Sequence, residues 1–197
     1  MGAVWQRVLI AVTIPLMFMG TVSCLSAKEL ESLMPEAYEG YIPSEEGPIF
    51  YLSSRNLTDI YDGGYMTYVN RGVLTAMSQV YTKESSFYTV VLHGMNSRAN
   101  ASSIVTYFKG VVCGGSASVD DLLVGDGGFW CLYYDMNYLY FSQGEIFVTL
   151  EGLGDSVKTA MEKSAQNVVE KAVPELSLPC LALAVALVFG LNILHAN

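Results

Sequence analysis

The apolar run at the end of the chain constrains the fold most, because residues of this kind must leave water. Leu176 to Leu194 contains nineteen consecutive residues without Asp, Glu, Lys or Arg. A helix of that length crosses the hydrocarbon core of a bilayer. The run has no polar face that would let it cover a protein core while facing water. We therefore expect a transmembrane helix over residues 176–195 that anchors the rest of the chain.

The residues that follow this apolar run leave open a second interpretation of it. Only His195, Ala196 and Asn197 follow it, without a Lys or Arg, whereas a stop-transfer helix is normally flanked by positive charge on its cytoplasmic side. The alternative is a removable tail of the glycolipid-anchor type, with Ser164-Ala165 as the small residues and residues 167–175 as a polar spacer. Gln166 fits poorly as the third residue of such a site.

The other end of the chain has the parts of a secretory signal, predicted over residues 1–27. A single positive charge at Arg7 precedes the apolar run Val8 to Met19, and small residues follow. Ordinary cleavage near Ser26 or Ala27, or an uncleaved anchor, competes with lipid attachment at Cys24, which ends a loose lipoprotein-type motif. Residues 28–175 are then an exported domain held on the extracytoplasmic side of a membrane in the cell envelope.

The charge of this predicted domain excludes some partners. It carries nine Lys and Arg against nineteen Asp and Glu, a net charge of −10. Nucleic acid binding depends on basic residues that neutralise phosphates, so we expect no nucleic acid partner. Adhesion to an anionic lipid surface is disfavoured for the same reason.

Two cysteines, Cys113 and Cys131, belong to the predicted exported domain. In an oxidising compartment they most simply form one disulfide, which would stabilise the fold by roughly 3 kcal/mol. A metal site needs three or four ligands, and His93 is the domain's single histidine, so we predict no metal and no cofactor. Two reduced buried thiols are the alternative in a reducing compartment.

Hydrophobic periodicity predicts an α+β domain. Alternating segments over 73–81, 85–92, 129–134, 138–142 and 145–150 predict about five antiparallel strands. Helical spacing predicts helices over 28–34, 57–69, 97–109 (ended by Gly110) and from 155 toward 172, which we expect on one face of the sheet. Gly63-Gly64 inside the second helix costs roughly 1 kcal/mol per glycine. Either something approaches the backbone there or that helix breaks.

Acidic residues and one histidine are the candidates for chemistry. Asp59 and Asp62 lie three residues apart, on one face of the predicted helix, as paired carboxylates or cation ligands would. Structural roles are the favoured explanation: Asp59 suits a first helical turn near the helix dipole, and Asp62 marks the bend. His93, at a strand end, is predicted to be a surface or capping residue. No nucleophile or metalloprotease motif accompanies these residues, and we assign no catalytic residue.

Tyrosine is unusually abundant, with thirteen in the chain. Alternation places Tyr138 and Tyr140 on one face of a strand, close in sequence to Tyr133. Tyrosine offers a large contact area with a polar tip, so we interpret these three residues as a candidate partner surface. The alternative is a half-buried sheet rich in strand-forming aromatics.

The segment from Leu57 to Gly72 resembles the core of a bacterial family of exported proteins, family 6599 of the domains of unknown function. The residues that carry the resemblance are Asp59, Tyr61, Asp62, Gly63, Gly64, Tyr68 and Gly72. The similarity extends over residues 34–172. It implies an exported or lipid-anchored protein and brings no catalytic residue.

We therefore expect a membrane-anchored extracytoplasmic domain that binds an envelope protein or a ligand. Its membrane partner is the bilayer, contacted through the C-terminal helix. Two alternatives are a metal-dependent or hydrolytic envelope enzyme built on Asp59, Asp62 and His93, and a structural subunit of an envelope complex.

Overall fold

Eight strands and four helices lie in the part of the chain that the computed structural model describes, residues 25–52, 56–59, 61, 64–116, 118–154 and 156–173. In chain order they are α1 (Ala27–Leu33), β1 (Ile42–Pro43), β2 (Ile49–Tyr51), α2 (Tyr65–Val69), β3 (Val73–Lys83), β4 (Ser86–Met95), α3 (Arg98–Val112), β5 (Val119–Leu122), β6 (Gly127–Tyr133), β7 (Met136–Gln143), β8 (Ile146–Leu153) and α4 (Val157–Ala172).

All strands join one antiparallel sheet with the order β1-β3-β4-β8-β7-β6-β5, and β2 also pairs with β3. The central strands are β4 and β8. Leu92 of β4 lies opposite Met77 of β3 on one side and opposite Val148 of β8 on the other. The short strands β1, β2 and β5 form the two edges, which keeps the exposed backbone of the sheet short.

Helices cover both faces of this sheet, so the expectation of helices on one face is wrong. On one face, α3 packs against a core that includes Val91 and Phe147. On the other, α1 and α4 pack against Val90 and Leu92. The physical reason is that β4 and β8 are apolar at consecutive positions, and all five residues from Ile146 to Leu150 are buried. Strands of this type need cover on both sides.

The α+β class and the antiparallel sheet are as predicted, but the sheet is larger than the five strands expected. The added strands β1, β2 and β5 have two, three and four residues. Segments this short contain too few positions to display an alternating pattern. Their pairing is decided by long-range contacts with β3 and β6.

Two helices differ from their predicted ends. The region predicted as one helix over 57–69 is a 3-10 turn at Asn56–Asp59 followed by the short α2, with Gly64 as its N-cap. Helix α3 continues past Gly110 to Val112. Gly110 lies on the exposed side, so its weak helix propensity is overridden by packing of Phe108 on the sheet.

The described fold begins at Leu25, inside the segment predicted as a signal. Ser26 caps α1 in a capping box with Glu29, and the Leu25 carbonyl accepts a hydrogen bond from Thr75 Oγ1 at 3.3 Å. Leu25 also packs against the core under α1 and α4. Cleavage after Ser26 or Ala27 would remove these contacts.

The predicted transmembrane run from Leu176 to Leu194 and most of the predicted signal lie outside the described residues. Within the described ranges, no helix combines the length and the apolar character that a bilayer crossing requires.

Candidate functional site

Two tyrosines lie over the face of the sheet that α3 covers, which we call the α3 face. Both belong to the segment from Leu57 to Gly72, which we call the glycine-rich segment. The Tyr61 and Tyr68 rings stack with centroids 3.7 Å apart, and the Tyr68 ring stacks on His93 of β4 at 5.4 Å. Gly72 ends this segment at a φ of +94°, and a Cβ there would come within 2.4 Å of Asn96 Oδ1. Only glycine permits this turn, which leads the chain from α2 into β3 and leaves Tyr68 against the sheet.

His93 is fully buried, which corrects the prediction of a surface or capping residue. Its Nδ1 donates to the Phe147 carbonyl oxygen at 3.0 Å. In a neutral ring Nε2 is then an acceptor, and the Tyr61 hydroxyl donates a hydrogen bond to it. Burial lowers the His93 pKa to about 4. His93 is therefore neutral at physiological pH and fixes Tyr61 in place.

A single carboxylate, Glu151, lies among tyrosine hydroxyls on the same face. The Tyr140 hydroxyl donates to Glu151 Oε1. Burial raises the Glu151 pKa, and the hydrogen bond from Tyr140 opposes that rise. Burial, reinforced by the nearby Glu151 charge, also raises the pKa values of Tyr61, Tyr68, Tyr138 and Tyr140. We call Glu151 and these four tyrosines the tyrosine site.

The tyrosine site opens to solvent through a pocket of about 380 Å³ between α2 and α3. Its walls are mainly aromatic, and the residues that line it are Tyr61, Gly64, Thr67, Tyr68, Tyr107, Phe108 and Val111. Val111 stands at the rim with 59% of its surface exposed. The Arg71 guanidinium lies 3.4 Å from the centroid of the Tyr107 ring. We call this opening the α2–α3 pocket.

A second pocket, of about 440 Å³, lies on the opposite flank of α3 beside β5 and β6. We call it the α3–β5 groove. Its two carboxylates already have basic partners: Asp126 pairs with Arg98 at 2.6 Å, and Asp121 pairs with Lys109. Surface pairs of this kind contribute little to stability, but they leave the acids of the groove neutralised.

The predicted partner surface is only partly accessible. Tyr140 has 2% of its surface exposed, because α3 covers it through Phe108, with ring centroids 5.6 Å apart. It therefore cannot contact a partner as predicted. Tyr133 and Tyr138 are half-buried, and neighbouring Tyr134 is 84% exposed.

The disulfide between Cys113 and Cys131 is present, with Cα atoms 6.0 Å apart. It joins the C-cap of α3 to the middle of β6. The bond thereby fixes the end of α3 beside Tyr138, which lies directly opposite Cys131 in the sheet.

Several predicted residues lie outside the described part of the structure, namely Cys24, Asp62 and Gly63. Asp59 ends the 3-10 turn at Asn56–Asp59, and only its backbone is described. The described residues contain no group of three or more His, Cys, Asp or Glu side chains arranged to hold a metal ion.

The sequence interpretation missed Glu151 and Tyr107. Glu151 had a visible signal, since it is the lone carboxylate within the apolar strand Ile146–Leu153. A charge in such a strand is either paired or functional. Nothing in the sequence indicates a role for Tyr107, because it lines a pocket only when α2 lies beside α3 in the folded chain.

Comparisons with known proteins identify a similar fold. A structure described as the crystal structure of the extracellular domain of PknH from Mycobacterium tuberculosis aligns with a TM-score of 0.55 at 10% identity. The alignment covers 79% of this chain and 100% of that one. No family model matches the sequence, and no curated protein matches it. At this identity the similarity concerns the fold alone.

Proposed function

We propose that the chain is an exported, membrane-anchored domain that binds an envelope protein or a ligand through the tyrosine site and performs no chemistry. The observation that carries this proposal is the α2–α3 pocket, an open pocket lined mainly by aromatic residues, with a largely buried carboxylate, Glu151, behind its wall. Open pockets with aromatic walls and few polar groups are typical of ligand sites.

Three observations support a location outside the cytoplasm. The Cys113–Cys131 disulfide is typical of oxidising compartments. The similar fold named above is described as an extracellular domain. Apolar runs stand at both ends of the sequence, where a signal and an anchor are expected.

The chemistry of the site favours binding over catalysis. A general base works best with a pKa near the operating pH, whereas the His93 pKa is lowered to about 4. Its hydrogen-bond partner Tyr61 has a pKa raised above its usual value of 10. Neither group can exchange protons readily near pH 7. A hydrolytic mechanism based on His93 would also need access to a side chain with no exposed surface.

Location is tested by protease treatment of intact bacterial cells that produce the full chain. We expect the domain to be digested only after the outer barrier is opened, and to remain with the membrane fraction until detergent is added. Intact mass before and after reduction should differ by the two hydrogens of one disulfide. Digestion only after lysis of the cytoplasm would contradict the proposed location.

Binding is tested by placing a photo-crosslinking residue at Val111, on the rim of the pocket, in the full chain in cells. The matched control is Ile42 on the edge strand β1, which is 63% exposed. We expect a discrete adduct at Val111 that is absent at Ile42 and is lost in Tyr138→Ser, a half-buried position whose change leaves the core intact. An equal adduct pattern at both positions would contradict the proposed surface.

A further inference from the structure

Glu151 is a largely buried acid without a basic partner among the described residues. The ion pairs of the described ranges involve Asp120, Asp121, Asp126, Glu39 and Glu162, and none involves Glu151. Its hydrogen-bond donor is the neutral Tyr140 hydroxyl. A buried carboxylate is normally paired with a cation or a metal. Glu151 therefore has no cationic partner among the described residues, and a cation brought close to it would stabilise its carboxylate form.

The α2–α3 pocket brings aromatic faces close to this charge. Tyr68 and Phe108 line the pocket, and their rings lie 5.0 Å apart. The Phe108 ring also contacts Tyr140, the residue that donates to Glu151. The carboxylate thus lies behind the pocket wall and is connected to it through the Phe108 and Tyr140 rings.

One ring of the pocket lining, Tyr107, already contacts a cation. The Arg71 guanidinium carbon lies 3.4 Å from the Tyr107 ring centroid, within the distance at which ring faces attract cations. Tyr61, another residue of the pocket lining, is half-buried. The walls therefore have the electron-rich surfaces that an ammonium group prefers.

We propose that the α2–α3 pocket binds an organic cation, an alkylammonium or quaternary ammonium group, held over the tyrosine rings with Glu151 as the counter-charge. This inference rests on the proposed binding function and specifies its ligand class. The volume of about 380 Å³ suits a small head group. The negative charge of the whole chain, −9, draws cations toward the domain.

The α3–β5 groove provides an internal comparison. It is similar in size and has carboxylates in its lining, but Asp126 is paired with Arg98 and Asp121 with Lys109. An added cation finds no unbalanced charge there. The inference therefore predicts binding at one flank of α3 and none at the other.

The test uses the full chain in a maltoside detergent, with choline chloride as the probe and 3,3-dimethylbutan-1-ol as its neutral isostere. Isothermal titration should show saturable choline binding and at least about tenfold weaker binding of the isostere, a difference that cation–π attraction and one counter-charge supply. Glu151→Gln keeps an acceptor for the Tyr140 hydroxyl. The Glu151→Gln variant should bind choline at least about tenfold more weakly, and its affinity for the isostere should be unchanged.

Asp126→Asn in the α3–β5 groove is the matched control and should leave choline binding unchanged. Equal affinity for choline and its isostere, or unaltered choline binding in Glu151→Gln, would overturn the inference. Absence of saturable choline binding would overturn it as well. If the adduct at Val111 persists in that case, the proposed binding function stands without this ligand class; if both are absent, both proposals fail.

Discussion

The two faces of the sheet each collect tyrosines, but in different electrostatic surroundings. Under α1 and α4, Tyr88 stacks on Tyr81 at 4.9 Å and shares a hydrogen bond with Ser164 at 2.9 Å. Tyr81 donates to the Pro35 carbonyl oxygen at 2.6 Å. Tyr41 packs edge-on against Tyr88, and its hydroxyl has no hydrogen-bond partner among the described residues. No carboxylate takes part in these contacts.

On the α3 face, the tyrosine site surrounds the carboxylate of Glu151 and adjoins an open pocket. The number of tyrosines on a face therefore does not mark a binding site in this protein. What distinguishes the α3 face is an acid without a basic partner among the described residues, Glu151, and an open pocket. The face under α1 and α4 is a structural core, and we call it the closed face.

Replacing one tyrosine on each face by alanine should give the largest difference between the two faces, measured as loss of unfolding free energy. Tyr88→Ala removes a fully buried ring from the closed face and should lower the free energy of unfolding by about 3–5 kcal/mol. Tyr138→Ala, at a half-buried position, should cost only about 1 kcal/mol. Urea denaturation of the two variants measures the difference. Similar costs for both would remove the distinction between the faces.

Acidification should destabilise the α3 face through His93. Its pKa falls from about 6.5 unfolded to about 4 folded, so the unfolded chain binds the extra proton. The stability contributed by neutral His93 is full above about pH 6.5. It is lost as pH falls toward 4, by up to about 3 kcal/mol.

Glu151 acts in the opposite direction, because its pKa is raised in the fold and stability falls as pH rises above about 4.5. The comparison is therefore made in the Glu151→Gln background, with and without His93→Gln. Urea midpoints between pH 4 and 7 should show the steeper loss only where His93 is present. Parallel curves would show that His93 is not held neutral by burial.

Removing the disulfide should loosen the α3 face selectively. Cys113→Ser with Cys131→Ser releases the end of α3 from β6 and should cost about 3 kcal/mol. Hydrogen exchange should accelerate first in the last turns of α3, with little change in α4. Uniform acceleration across both helices would mean that the bond stabilises the fold as a whole and not this face.

The smallest effect concerns the N-terminus of the closed face. Ser26→Ala removes the N-cap of α1 and should cost about 1 kcal/mol. Ser32→Ala, which removes a hydroxyl bonded to the Glu29 carbonyl oxygen on the exposed side of α1, is the matched control and should cost less. Because Leu25 and Ser26 belong to this fold, the mature chain should begin at Leu25 or earlier, as intact mass will show.

The sequence predicted the strands well where one hairpin fixes its own register. The segments predicted at 73–81 and 85–92 became β3 and β4, paired through Tyr81 and Tyr88. The sequence offers Asn96 or Ser97 as the N-cap of α3, and Ser97 is the one that caps it. Local chemistry was sufficient in these cases.

The sequence failed where distant segments decide the outcome. Consecutive apolar residues such as Val90 and Val91 point to opposite faces of the sheet, and both faces therefore need cover from helices. The burial of His93 depends on Tyr61 and Tyr68, which reach it from the glycine-rich segment. No periodicity within β4 reveals that contact.

Hydrogen exchange on the full chain in native membranes, compared with the purified chain in detergent, tests most directly that the α3 face is the binding face. We predict slower exchange in membranes at α2 and in the second half of α3, around Tyr107 and Val111, with α1 and α4 unchanged. Protection confined to α1 and α4, or identical exchange in both preparations, would contradict the account.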